Sequence, residues 1–130
     1  MMEAGVLVGE EGKPLYWHSP PNRTSVSLPD SRDLWWDGFW KFRDEISGFA
    51  HSHPGSGDPY PSNEDITTFS GVELGLGRRL EWWIISRDSI ALVTWVGPGQ
   101  YDYQVEHNSG EGFIFPWLDK LREISYNSQS

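Results

Sequence analysis

The chain contains no cysteine. That excludes disulfides, thiolate metal sites and cysteine nucleophiles, so any metal bound here must be held by histidine and carboxylate. Cations are also scarce: 10 Lys and Arg stand against 19 Asp and Glu, a formal net charge of −9. Binding a phosphate backbone or an anionic membrane needs clustered Lys and Arg, so neither a nucleic acid nor a membrane is expected as partner, and a nuclease reading conflicts with the acidity. No apolar run approaches the roughly 20 residues that span a bilayer. The opening Met1-Met2-Glu3-Ala4-Gly5 has no basic stretch leading into an apolar one, so it does not read as a secretory signal, and the cytoplasm is the expected compartment. There is no internal repeat.

What the chain does have is aromatic mass: 15% of its 130 residues, eight of them Trp. Each such ring buries roughly 150–250 Å², which suits one domain whose core is built from few, large pieces. Residues 1–125 are expected to form that domain, and the polar end 126–130 to be disordered. Glu3–Val8 and Pro14–His18 read as two strands of a hairpin about the turn Glu10–Lys13. Ser19–Pro29, with three Pro, is a loop, and Asp30 or Ser31 caps a helix running to about Asp44. In that helix Trp35, Phe39 and Phe42 share a stripe, with Trp36 and Trp40 beside it, and all three Trp are assigned to the core.

Ile46–His51 is a short strand in which Gly48 permits close backbone approach. After the irregular Pro54–Pro61 loop, Ser62 opens a helix whose Ile66, Phe69, Val72 and Leu74 face the core. Leu80–Ile85, Ile90–Val96 and Tyr101–Val105 are strands, and Phe113–Ile124 is a closing helix. Trp82 and Trp83 point to opposite faces of their strand, one to the core and the other outward. His18 and His107 are read as surface residues. The mixture of elements and tight turns indicates an α+β domain with a mixed sheet flanked by helices.

Chemistry concentrates in His51-Ser52-His53-Pro54 and Ser62-Asn63-Glu64-Asp65. Two His one residue apart on a strand end project to the same side. A carboxylate in the first turn of the next helix can complete a set of three protein ligands, leaving a fourth position for water, the pattern of a catalytic rather than a structural zinc. Taken separately each piece has a plainer reading, because strand-end His residues are commonly hydrogen-bonded surface groups and Ser62 and Asp65 suit a helix start.

Together these segments resemble the JAMM/MPN (JAB) metalloprotease family, whose pattern is a Glu on an early strand, His-x-His-Pro, a loop, and Ser-x-x-Asp opening a helix. Here these are Glu3, with Gly9 six residues on, His51-Ser52-His53-Pro54, and Ser62 to Asp65. The likeness runs from Glu3 to about Val96 and is closest to the compact prokaryotic or phage-type members. It implies an α/β-type domain around a curved sheet that hydrolyses peptide or isopeptide bonds with one zinc per chain, the substrate being a peptide or a protein such as a ubiquitin-like modifier. His51, His53 and Asp65 take the ligand roles, Glu3 that of general base, and Ser62 that of donor to the developing oxyanion. The loop before Ser62 is one residue longer than the family spacing, which makes Asp58 a rival ligand. Glu3 stands so near the first residue that a frayed strand end is expected, with Glu10, Glu11 and Glu45 as substitutes. The alternative of a different class is a non-catalytic MPN-like scaffold that binds proteins.

Overall fold

A computed structural model describes residues 1–25, 28, 32–108 and 115–127. Six strands, β1 (Gly5–Gly9), β2 (Pro14–His18), β3 (Ile46–Ser52), β4 (Glu81–Ile85), β5 (Ile90–Trp95) and β6 (Tyr103–Asn108), form one sheet in the order β2-β1-β3-β4-β5-β6. Every neighbouring pair is antiparallel except β3 and β4, and the helix α1 (Asn63–Leu76) makes the crossover that a parallel pair requires. A short helix, α2 (Leu118–Arg122), continues as a π-helical turn over Glu123–Asn127. The domain is therefore α+β, with a mixed sheet. Among the described residues no helix is long and apolar enough to cross a membrane.

The sheet is covered on both faces, which explains the unbroken apolar run Val6-Leu7-Val8 in β1. On one face Leu7, Phe49, Trp82, Ile84 and Val93 pack with Phe39 and with Phe69 of α1. On the other, Val6, Val8, Ala50, Trp83 and Ile85 pack with Trp117, Leu118 and Leu121. Trp82 and Trp83 do point to opposite faces, but both are buried, so neither is the exposed contact that alternation alone would give. At Gly48 a Cβ would run into the Glu81 carbonyl, so the close approach of β3 to β4 depends on glycine there.

The Trp-rich helix begins within the described residues at Arg32, and its expected caps, Asp30 and Ser31, lie outside them. Over Leu34–Trp40 it is π-helical, and i→i+5 hydrogen bonding brings residues five apart onto one side. Leu34 and Phe39 are accordingly buried, while Trp36 is 54% exposed and Trp40 39%, against the expectation of a core role for both. Leu74 is likewise turned out, because the buried face of α1 is set by Phe69 and Glu73, four residues apart, and Leu74 falls about 140° round from Phe69. The closing helix starts at Leu118 rather than Phe113, which is outside the described residues. Tyr126, expected in a disordered tail, belongs to the last helical turn and donates its hydroxyl to the His53 carbonyl at 2.6 Å.

Glu73 is the one buried acid of α1. Its carboxylate accepts from the Leu80 amide (2.9 Å), Trp82 Nε1 (3.0 Å), Arg79 (3.0 Å) and the Tyr103 hydroxyl. It thereby fixes the Trp82 indole, which stacks on Phe69 at 4.3 Å between centroids. Glu73→Ala leaves buried donors without an acceptor and should lower the unfolding free energy by about 3 kcal/mol or more. Urea denaturation measures this, and a loss below about 1 kcal/mol would mean that water replaces the carboxylate.

Candidate metal centre

The period of two along β3 and its extension sends His51 and His53 to the face occupied by α1. His53 stays in line with the strand because its amide donates to the Ile85 carbonyl and its carbonyl accepts from Tyr126. The following loop is pinned to the β4–β5 turn. The Arg87 amide donates to the Gly55 carbonyl, Ser86 Oγ to the Gly57 carbonyl, and the Gly57 amide to the Asp88 carboxylate. Asp58 itself accepts from Ser89 Oγ at 3.0 Å and is not part of the group formed by His51, His53 and Asp65. His107, expected at the surface, is half-buried with a ring nitrogen 2.7 Å from the Pro59 carbonyl.

Ser62 starts α1 with a reciprocal capping box: the Asp65 amide donates to Ser62 Oγ (3.0 Å), and the Ser62 amide donates to Asp65 Oδ2 (2.9 Å). The same carboxylate faces both histidines, with Oδ1 at 3.3 Å from His51 Nε2 and Oδ2 at 3.1 Å from His53 Nε2. The two Nε2 atoms are 3.0 Å apart. Ligand atoms held tetrahedrally at about 2.0–2.1 Å from an ion lie about 3.3–3.4 Å from one another. The His–His separation and each histidine's distance to its own facing oxygen of Asp65 are of that order, and with one ligand atom per residue the group lies within 4.8 Å. Two imidazole nitrogens aimed at each other need a shared proton or a common cation between them. His51, His53 and Asp65 could therefore hold a metal ion.

Glu3 sits beside this group and is not frayed. It is 7% exposed, its amide donates to Thr24 and its carbonyl accepts from Arg23. β1 pairs with β3 so that Gly5 lies opposite His51, and Glu3, two residues earlier, faces the same side. Both line a cavity of about 430 Å³ together with His53, Ser62 and Asp65; its other wall is apolar, made by Phe39, Phe49, Phe69 and Trp82. All five residues singled out in the sequence thus meet in one cavity. Glu10 and Glu11 are at the far end of β1 in the hairpin turn, and Glu45 precedes the far end of β3.

One lining residue departs from its sequence reading. His18 is buried and lies opposite Gly5 on β2, in line with His51 on β3. The available signal was the hairpin register, which a bulge between Leu7 and Val8 shifts by one residue.

The electrostatics of the two acids diverge. Burial pushes the Asp65 carboxyl up, but the hydrogen bonds of His51 and His53, the charge on His51 and the Ser62 amide outweigh it and hold it well below the usual carboxylate range. Burial raises the Glu3 carboxyl; His53 opposes and Asp65 adds, leaving it at about 7 rather than 4.5. In the metal-free protein the unfolded chain therefore ionises Glu3 at lower pH than the folded one. Any contribution intact below pH 4.5 is lost as pH rises through about 7, on the order of 3 kcal/mol. Glu3→Gln should gain on wild type in denaturant melts with chelator as pH goes from 4.5 to 8. A difference that stays flat with pH would place Glu3 in water.

No protein-family model matches the sequence, and no curated protein matches it.

Proposed function

We propose that the chain is a zinc-dependent peptidase or isopeptidase of JAMM/MPN type. The observation that carries this is the convergence of two imidazole nitrogens and one carboxylate within 3.0–3.3 Å, beside a buried carboxyl in the same cavity. With two nitrogen donors, one carboxylate and no thiolate, the set suits zinc with an open position. Zinc bound there supplies a Lewis acid for the scissile carbonyl and lowers the pKa of a water.

The protein's own groups do the rest. Glu3, raised to about 7, takes a proton from the attacking water at neutral pH and returns it to the leaving amine. Ser62 uses an oxygen lone pair for the cap, and its hydroxyl proton remains to donate to the oxyanion that forms on the substrate carbonyl. Asp65 is oriented by the Ser62 amide, so the ligand's direction is set by backbone. The substrate is a peptide or the tail of a protein such as a ubiquitin-like modifier.

Elemental analysis should find about one zinc per chain, and Asp65→Ala should lose it while Asp58→Ala keeps it. Protein that takes up no zinc when it is offered would sink the reading. Glu3→Gln should retain zinc and lose about 10²–10⁴-fold in turnover of a peptide library or a ubiquitin-like fusion; full activity would move the base elsewhere.

Ser62→Asp separates the two roles of that residue, because Asp caps as well as Ser but places negative charge where the oxyanion forms. It should melt near wild type and be inactive, and substantial turnover would leave Ser62 a cap alone.

A further inference from the structure

A second hollow, of about 450 Å³, lies between α1 and the π-helical segment. Leu34, Trp35 and Phe39 line it from one side, and Thr68, Gly71 and Val72 from the other. Leu34, Phe39 and Thr68 also line the cavity of the metal centre, so the two hollows share a wall. Among the described residues no charged side chain lines the second one. It is open because α1 carries glycine where it borders the hollow: a Cβ at Gly71 would meet nothing within 4 Å. One turn further, the Trp35 ring lies so close over Gly75 that a Cβ there would come within 2.8 Å of it. Exposed Trp36 and Trp40 flank Trp35, with ring centroids 6.5 and 6.2 Å away. An apolar hollow lined by Leu34, Trp35, Phe39 and Val72 suits an apolar side chain.

We propose that this hollow is a subsite for a large apolar side chain of an extended peptide whose scissile bond lies at the metal centre. It rests on the hydrolase reading for where the bond lies, and on the shared wall for the link between the two spaces. From Asp65 to Gly71 and Gly75 along α1 is about 9–15 Å at about 1.5 Å per residue. An extended peptide advances about 3.3 Å per residue, so the subsite reads a residue about three to five positions from the cleaved bond. The occupant is a single extended strand, because one chain must reach the cavity of the metal centre and the hollow together.

Gly71→Leu tests this by filling the hollow from the helix side. Leu is a better helix former than Gly and meets no neighbour at its Cβ, so the variant should fold. Binding of labelled peptides is measured by fluorescence anisotropy on zinc-loaded Glu3→Gln protein, with and without Gly71→Leu. Cleavage sites are mapped by mass spectrometry with wild type. The expected result is that Phe→Ser three to five positions from the cut weakens binding about tenfold or more, and that Gly71→Leu abolishes this discrimination with zinc content unchanged. A folded Gly71→Leu variant that still prefers the Phe peptide by the same ratio would overturn the proposal. Cleavage without a Gly71-dependent preference also overturns it while the hydrolase reading stands. A Gly71-dependent preference for Phe without cleavage keeps the apolar subsite and removes the hydrolase reading.

Discussion

Because β3 and β4 run in the same direction, the chain must leave the carboxyl end of β3, cross one face of the sheet and re-enter at the start of β4. α1 is that crossover, and its first turn consequently opens beside the strand end where His51 and His53 project. Ligand sites of open α/β sheets gather at carboxyl ends of strands for the same topological reason. Here β1, antiparallel to β3, brings its own beginning to the same end of the sheet and delivers Glu3 and Gly5 there. One parallel pairing between antiparallel neighbours thus assembles residues separated by more than sixty positions in the chain.

Asp65 belongs to two constructions at once. As the third helical residue, closing the capping box, it satisfies the Ser62 amide, and as a carboxylate it faces both histidines. A capping box alone contributes only about 0.5–2 kcal/mol. Its larger consequence is positional, since a carboxylate tied to backbone at 2.9 Å loses the rotamer freedom that an exposed Asp would keep. The loop anchored to the β4–β5 turn works in the same sense, fixing where Ser62 begins.

The same face of the sheet provides both polarity and its opposite. Phe49, Phe69 and Trp82 form an aromatic floor beside the two histidines, Phe69 stacked on Trp82 and Phe49 edge-on to it, and Glu73 of α1 holds the Trp82 indole in place. This apolar surround is what raises Glu3, because desolvation disfavours its charge more than His53 favours it. The π-helical segment extends the apolar wall away from the centre. Its five-residue spacing buries Leu34 and Phe39 and leaves Trp36 and Trp40 facing out.

Much of this was legible in the sequence where the governing relation is short. The same-side placement of His51 and His53 follows from the two-residue period of a strand, the cap from Ser62 and the acid three residues on, the hairpin from the turn after Gly9, and the close approach at β3 from Gly48. Each depends on a handful of consecutive residues, so local patterning determined it. The burial of His18 and Trp83, the exposure of Leu74 and Trp36, and the engagement of Asp58 by Ser89 were not legible. They depend on which distant segment covers each face: Trp117 and Leu121 cover Trp83, and the β4–β5 turn captures Asp58. The sequence by itself determined which side chains could act as ligands and on which side of their own strand or helix they stand. Only the tertiary structure decided that Glu3 is buried in the same cavity, because burial is a property of the surrounding packing and not of any residue's neighbours along the chain.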